Sequence, residues 1–274
     1  MASTITHREF KLLLKPERFP NRRALLDFNH LLESIAAKLE IRYEPFDPID
    51  SQQRVVQFYD TPDQTLRKHH LIFRVRQIRQ GGWPDESWEV TFKLRHPDLA
   101  KAEEFDSGSS FPKQQRKKFK EELIHGGAIG TIASIYSNNC ILESPQLDLE
   151  LPLAQLAVAF PHLKALDLDF DQKMSIVNGA RVFEIEAKLG NLFFGKHTMA
   201  TATLALWARP VPDRFEPLIA EFGWSYHPVP GPDGKPKKAD AVADDFFKNM
   251  QLPLQDWIST GTTKTALIYG DQGA

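Results

Sequence analysis

Four segments of the chain alternate charged with apolar residues at a period of two, and this pattern constrains the fold more than any other feature. In the run Trp88–Arg95, apolar side chains alternate with Glu89, Thr91, Lys93 and Arg95. Because successive side chains of a β-strand point to opposite faces, such a strand has one apolar face and one polar face. The pattern therefore predicts a protein built mainly from antiparallel sheet, with the apolar face packed on a core.

The other three segments carry their charges in the same arrangement. They are His7-x-Glu9-x-Lys11, Arg74-x-Arg76 and Glu184-x-Glu186-x-Lys188. For one strand alone, a charged face that meets water is the ordinary interpretation. Across the set, however, the closest carboxylate pair and the closest arginine pair lie on different strands, whereas exposed surfaces usually intersperse their signs.

A closed sheet would bring these charged faces together in one enclosed space. If helices cover the apolar outer face and the sheet closes, the charged faces meet inside, where cations need an anionic partner and carboxylates need a cation. A polyphosphate with magnesium or manganese meets both needs, because basic side chains bind phosphate oxygens and carboxylates bind hard cations.

Periodicity and turn residues divide the chain into predicted elements. Strands are predicted at His7–Leu14, Arg54–Tyr59, Leu71–Arg79, Trp88–Arg95 and Lys117–Ile124. Helices are predicted at Asn21–Glu40, Ala128–Ser137, Leu153–Leu163, Asp213–Phe222 and Ala239–Met250. A loop rich in proline and glycine is predicted at 227–236.

The dipeptide Asn178-Gly179 predicts a β-hairpin over Leu166–Leu189, because both residues tolerate the positive φ of a two-residue turn. Counting outward from this turn pairs Lys173 with Glu184, and directly paired residues share a face of the sheet. One face of the predicted hairpin is therefore apolar and the other is charged.

Composition limits the partners of the protein. The chain has 274 residues and a net charge of −2, so no general basic field attracts nucleic acid or an anionic membrane. Its single cysteine, Cys140, and the lack of an apolar signal core in Met1–Arg8 favour a reducing, cytoplasmic location. We expect a small-molecule partner, neither nucleic acid nor membrane, and leave the oligomeric state open.

Three ordered segments resemble the CYTH, or triphosphate tunnel metalloenzyme, superfamily. They are the run from Val56 through Tyr59-Asp60-Thr61-Pro62 to Leu66, then Leu71-x-x-Arg74-Val75-Arg76, then Trp88-Glu89-Val90-Thr91-Phe92-Lys93. The family's opening Glu-x-Glu-x-Lys signature is similar to His7-x-Glu9-x-Lys11, its late acidic strand to Glu184-x-Glu186, and its lysine-bearing final strand to Thr263-Lys264-Thr265-Ala266. Glu122 lies in a segment that resembles the family's mid-chain acidic strand.

The resemblance implies an α+β fold, with a closed eight-stranded antiparallel β-barrel, or tunnel, and helices packed outside it. A single domain would span 1–274, with a helix-rich part at 191–274 that returns a final strand near 262–269. The residues implied to bind the triphosphate and support catalysis are Lys11, Arg74, Arg76, Lys93 and Lys264. Additional substrate contacts are implied for Lys173 and Lys188. The residues implied to bind Mg²⁺ or Mn²⁺ are Glu9, Glu122, Glu184 and Glu186.

The function implied is metal-dependent hydrolysis of inorganic triphosphate or of a small organic triphosphate. Two alternatives remain open, namely a nucleotide cyclase of the kind found in the same superfamily and a non-catalytic module that binds polyphosphate. His7 departs from the family pattern, since it stands in place of the usual first glutamate. An imidazole suits transition metals better than magnesium, so this position retunes the metal site, weakens hydrolysis or is unused.

Overall fold

The computed structural model describes residues 5–111, 113, 115–144, 152–228 and 238–270, and ten strands and six α-helices lie within them. The strands are β1 (His7–Leu14), β2 (Arg42–Asp60), β3 (Leu71–Gln80), β4 (Trp83–His96), β5 (Gln115–His125), β6 (Ile132–Ser144), β7 (Ser175–Ile176), β8 (Val182–Phe193), β9 (Met199–Val211) and β10 (Arg214–Tyr226). The α-helices are α1 (Arg22–Lys38), α2 (Thr65–Lys68), α3 (Leu99–Glu104), α4 (Leu153–Ala159), α5 (Lys238–Asn249) and α6 (Lys264–Tyr269). Most of the loop predicted at 227–236 lies outside the described residues.

All ten strands belong to one sheet, in the order β3-β4-β6-β5-β1-β10-β9-β8-β2-β7. β2 also pairs with β3 over seven registered positions, from Gln53 opposite Arg79 to Tyr59 opposite Phe73. This pairing joins strands from opposite ends of the order, so nine strands form a ring. The short β7 pairs with β2 near the end of that strand.

The predicted sheet with helices packed against it is present, but the strand count and the pairing differ from the prediction. The sheet has ten strands where the resemblance implied eight. β1 pairs with β5 in parallel, so the sheet is not wholly antiparallel. No feature of a single strand reveals this pairing, because the two partners are far apart in the chain.

Helices cover the apolar outer face of the ring. Phe10 and Leu12 of β1 are fully buried in a core cluster with Phe28 of α1 and Phe247 of α5. A second cluster joins β3, β4 and β6 to α4 and the segments around it. Because alternate residues of the same strands point the other way, this packing directs their charged side chains to the inside of the ring.

Two segments predicted as helices are strands. Ala128–Ser137 overlaps β6, and Asp213–Phe222 overlaps β10. In the second case Asp213 has a φ of 67° and lies in the tight turn between β9 and β10, so the chain reverses there. Pro217 also disfavours a helix, because it lacks a backbone N–H donor. Consequently the first part of 191–274 is sheet rather than helix.

The hairpin predicted over Leu166–Leu189 does not form. Asn178 and Gly179 do adopt positive φ angles of 52° and 62°, so the tight turn is present. However, β7 before the turn and β8 after it both pair with β2. The long β2 supplies the backbone partners for both flanks, and the predicted pairing of Lys173 with Glu184 is therefore wrong.

The final strand predicted near 262–269 is also wrong, because this segment forms α6. Thr263 is the N-cap, and its side chain accepts a hydrogen bond from the Ala266 N–H at 3.1 Å. Gly270 ends the helix in the left-handed conformation, with a φ of 80°. This capping pattern favours one and a half turns of helix over an extended strand.

None of the helices in the described part of the chain is both long and apolar enough to cross a membrane.

Asp60, the last residue of β2, organises the turn that follows it. Its carboxylate accepts hydrogen bonds from the backbone N–H groups of Thr61, Leu66 and Arg67 at 2.8, 2.9 and 3.1 Å. The hydroxyl of Tyr269 in α6 donates to the same carboxylate at 3.0 Å. These contacts show a structural turn at this position and tie α6 to the end of β2.

We predict that Asp60→Ala lowers the free energy of unfolding by about 3 kcal/mol, because it leaves buried backbone donors without an acceptor. Urea denaturation followed by circular dichroism measures this loss. The matched control is Asp27→Ala, which removes an exposed carboxylate from α1 and should change stability by less than about 0.5 kcal/mol. Equal losses in the two variants would contradict the role of Asp60.

Candidate functional site

The ring encloses a cavity of about 580 Å³, which we call the chamber. Nine cationic side chains line the chamber: Lys11, Arg54, Arg74, Arg76, Lys93, Arg95, Lys118, Lys120 and Lys264. Five carboxylates line it as well: Glu9, Glu122, Glu184, Glu186 and Glu221. Positive groups therefore exceed negative groups by four, and the chamber favours an anionic ligand.

The parallel pairing of β1 with β5 sets the geometry of one acidic pair. Glu9 is in register with Glu122, so their side chains lie side by side. Lys11 Nζ bridges them, at 2.8 Å from Glu9 Oε2 and 3.2 Å from Glu122 Oε2. Lys120 Nζ lies 3.1 Å from the same oxygen of Glu9. Two ammonium groups thus neutralise this pair.

Glu122 also joins β5 to β4. Its side chain is almost fully buried, and Arg95 Nε donates to its Oε2 at 3.0 Å. Lys93 Nζ lies 3.8 Å from its Oε1. Burial alone would raise the pKa of Glu122, but Lys11, Arg95 and Lys93 hold that pKa well below its usual range. Glu122 is therefore a carboxylate at neutral pH.

A second acidic group centres on Glu184 of β8, whose side chain is 1% exposed. Arg54 Nη1 donates to its Oε1 at 2.9 Å, and the indole N–H of Trp207 donates to its Oε2 at 2.6 Å. Arg76 and Lys264 lie 3.5 and 4.0 Å from that second oxygen. Burial opposes ionisation, but these cations keep the pKa of Glu184 well below its usual range.

The arginines of β3 have hydrogen-bonding capacity to spare. Arg74 Nη2 donates to Thr91 Oγ1 at 3.1 Å, whereas the buried Nε atoms of Arg74 and Arg76 have no hydrogen-bond partner in the described structure. A buried donor without an acceptor is costly. These N–H groups are suited to the oxygens of an anion in the chamber.

Lys93 is a buried cation whose burial outweighs the attraction of its neighbouring carboxylate. Burial lowers its pKa to about 7, and the charges of Lys11 and Arg74 add to this effect, although Glu122 opposes it. Near pH 7, the charged and neutral forms of Lys93 are therefore both populated. A bound anion would favour its charged form.

The structure brings most of the predicted site residues together. Those that line the chamber are Lys11, Arg74, Arg76, Lys93, Lys264, Glu9, Glu122, Glu184 and Glu186. Lys173 and Lys188 are exposed and do not line it, and Lys188 lies 3.9 Å from Asp50 at the surface. The resemblance implied substrate contacts for these two side chains, and neither lies in the chamber lining.

His7 is also outside the chamber lining. Its ring lies 4.1 Å from the ring of His227, and its Nδ1 is 2.9 Å from Thr6 Oγ1. Burial and the neighbouring His227 lower the pKa of His7 to about 4. The position of the usual first glutamate is therefore filled by a neutral imidazole that faces another histidine.

The four carboxylates predicted as metal ligands form two separate pairs, Glu9 with Glu122 and Glu184 with Glu186. Among the described residues, no three His, Cys, Asp or Glu side chains converge to hold a metal ion. Each pair is already neutralised by lysine or arginine. The arrangement does not fit the predicted four-carboxylate metal site, and metal dependence stays a prediction.

Six residues that carry charge in the chamber or contact its carboxylates were not predicted as site residues from the sequence: Arg54, Arg95, Lys118, Lys120, Trp207 and Glu221. Lys118-x-Lys120-x-Glu122 repeats the alternation seen in the other strands, so that signal was available. Glu221 was hidden by the incorrect helix at 213–222. Arg54 shares its face of β2 with the apolar Val56 and Phe58, so no charge alternation marks it.

No protein-family model matches the chain, and no curated protein matches it. Several solved structures are similar to it. A candidate adenylyl cyclase from Hippeastrum, described as having a dominant triphosphatase activity, is 12% identical, with 97% of this chain and 95% of that chain covered and a TM-score of 0.44. A candidate adenylate cyclase from Bacillus halodurans is 13% identical, with 93% of each chain covered and a TM-score of 0.40.

A third similar structure is a candidate adenylate cyclase from Vibrio parahaemolyticus, which is 14% identical, with 97% of this chain and 99% of that chain covered and a TM-score of 0.37. We draw the proposed function from the chamber itself.

The pKa of Lys93 predicts a pH dependence of stability. Between pH 7 and 10.5, Lys93 is mostly neutral in the folded protein and still protonated in the unfolded chain. The unfolded state then holds more protons, so wild type should gain stability relative to Lys93→Met as the pH rises from 7, by up to about 1.4 kcal/mol per pH unit. Urea denaturation at several pH values measures the difference, and parallel pH profiles would contradict it.

Proposed function

We propose that the chamber binds a triphosphate and that the protein hydrolyses its terminal phosphoanhydride bond. The observation that carries this proposal is the excess of four cationic over anionic side chains in an enclosed chamber, where two arginines hold buried N–H donors without acceptors. An inorganic triphosphate or a small organic triphosphate supplies both the negative charge and the acceptor oxygens.

The distribution of the cations favours an elongated anion over a single phosphate or carboxylate. Five strands and one helix contribute them: β1, β2, β3, β4, β5 and α6. The ligand is therefore approached from several sides, and a volume of about 580 Å³ is typical of a small-molecule site. A chain of three phosphates can contact several of these groups at once.

The same charges support phosphoryl transfer to water. The transferring phosphoryl group spreads its charge over its outer oxygens, so catalysis consists mainly of positioning and electrostatic stabilisation. Fixed guanidinium and ammonium groups provide this stabilisation without rearrangement. Carboxylates such as Glu122, which neighbouring cations keep ionised, can accept a hydrogen bond from the attacking water.

Magnesium or manganese remains part of the proposal as an ion that arrives with the substrate. Magnesium commonly binds through one or two carboxylates together with substrate phosphates, so it does not require a preformed site of three or more protein ligands. Such an ion would neutralise phosphate oxygens, and Glu9 with Glu122 would be its contacts. The assay therefore includes arms with each metal and with a chelator.

We predict that purified protein releases orthophosphate from tripolyphosphate, ATP or thiamine triphosphate, and that Arg74→Ala and Lys93→Ala each reduce kcat/KM at least about tenfold, because each removes a charge that stabilises the transferring group. The matched control is Lys117→Ala, which removes an exposed lysine that pairs with Asp106. Its rate should equal that of wild type.

Product analysis separates the alternatives. Cyclic nucleotide and pyrophosphate from ATP would indicate a cyclase and overturn hydrolysis. Tight binding of tripolyphosphate without turnover, in magnesium and in manganese, would indicate a binding module. Wild-type rates in both chamber variants would remove the chamber from the reaction.

A further inference from the structure

We infer that the guanidinium of Arg54 neutralises Glu184 and Glu186, and that it occupies the position where a divalent metal ion was predicted to bind. The inference concerns metal binding by the free protein. It can therefore hold or fail independently of the proposed hydrolysis.

Strand register places Arg54 at this position. β2 and β8 are antiparallel neighbours, with Arg54 directly opposite Glu184 and Gln52 opposite Glu186. Side chains of directly opposite residues lie on the same face and contact each other. The guanidinium of Arg54 thus faces the two carboxylates of β8 as a consequence of backbone pairing.

The guanidinium bridges the two carboxylates. Arg54 Nη1 lies 2.9 Å from Glu184 Oε1, and Arg54 Nη2 lies 2.8 Å from Glu186 Oε1. The side-chain oxygen of Gln52 accepts hydrogen bonds from Arg54 Nε at 3.0 Å and from Nη2 at 2.5 Å. A planar guanidinium held at three nitrogens is oriented more firmly than a lysine ammonium would be.

Binding of a metal ion to this pair is unfavourable, because the oxygens of Glu184 already have partners. Glu184 Oε1 is used by Arg54, and Glu184 Oε2 accepts from the Trp207 indole at 2.6 Å. Arg76 and Lys264 lie within 4.0 Å of Glu184. A divalent cation would displace Arg54 and then meet the repulsion of these remaining cations in a site of low dielectric constant.

The other acidic pair differs in the kind of cation that bridges it. Lys11 bridges Glu9 and Glu122 with its ammonium, whereas Lys120 contacts only Glu9 and Arg95 contacts only Glu122, through Nε. An ammonium on a flexible stem is a point charge that can move to a phosphate oxygen. A metal ion that enters with a ligand can replace the bridging ammonium of Lys11 between Glu9 and Glu122, whereas the guanidinium of Arg54 holds Glu184 and Glu186 together.

The test is a titration of the metal-free protein with Mn²⁺ alone, followed by electron paramagnetic resonance of free Mn²⁺ and by calorimetry. We expect Glu186→Gln to leave the Mn²⁺ affinity of wild type unchanged. Arg54→Met should bind Mn²⁺ at least about tenfold more tightly than wild type, because a neighbouring positive charge is removed. The double variant Arg54→Met/Glu186→Gln should lose this gain.

Arg209→Met is the matched control, since Arg209 forms an exposed ion pair with Glu216 away from the chamber. It should not alter Mn²⁺ binding. A fall in wild-type affinity on Glu186→Gln would overturn the inference, and so would a folded Arg54→Met that gains no Mn²⁺ site.

If Arg54→Met does not fold, two measurements still decide the matter. The comparison of wild type with Glu186→Gln needs no change at Arg54. Arg54→Lys keeps the charge but removes the planar fork, so it should bind Mn²⁺ more tightly than wild type; an affinity equal to that of wild type would overturn the inference. A wild-type Mn²⁺ site that depends on Glu186 would again overturn the inference.

Discussion

The hydrogen-bonded pairing of β2 with β3 is the constraint on which the rest of the structure depends. Without it, the sheet would have two free edges, and the polar faces of β2, β3 and β8 would meet water. With it, nine strands close into a ring, and each charged face is turned towards the others. The chemistry of the chamber is therefore a consequence of backbone register. The alternation of side chains then decides which residues share the enclosed space.

The two faces of the ring serve different purposes. The outer face, with residues such as Phe10 and Phe28, is buried under helices and supplies the hydrophobic stabilisation of the fold. The inner face encloses charge, and buried ion pairs contribute little net stability because their desolvation offsets their attraction. A fold that retains so many enclosed charges departs from optimal stability at a functional site. The free-energy cost of enclosing these charges is offset by the hydrophobic clusters on the outer face.

Much of the chamber could be predicted from the sequence because its signal is local. Charge alternation identified Arg74, Arg76, Lys93, Glu184 and Glu186. The alternation of faces within a strand is the same whichever strand pairs with it. Pairing is not local, so the hairpin at Asn178-Gly179 and the inward position of Lys173 were wrong, although the turn itself has the expected positive φ angles. For Lys264 the predicted secondary structure was wrong, but the predicted position in the chamber was right. Its segment is a helix and not a strand, yet its side chain lies in the chamber, 2.9 Å from Glu221. Arg54 carried no local signal, since the residues that follow it on that face, Val56 and Phe58, are apolar and Gln52 before it is uncharged.

The carboxylates of the chamber have a role that does not require metal. Nine cations in one cavity repel each other, and Glu9, Glu122 and Glu184 each contact two or more of them and favour their charged forms. At Lys93, burial outweighs the attraction of Glu122, and the pKa falls to about 7. When a polyanion enters, its phosphate oxygens can replace the carboxylates as partners of the lysines. This exchange is possible because the lysine ammonium groups lie on flexible stems and can turn from carboxylate to phosphate. The carboxylates contacted by Arg54 are held by a planar, doubly bound group, so they remain in place and preserve the shape of the chamber while the ligand is exchanged.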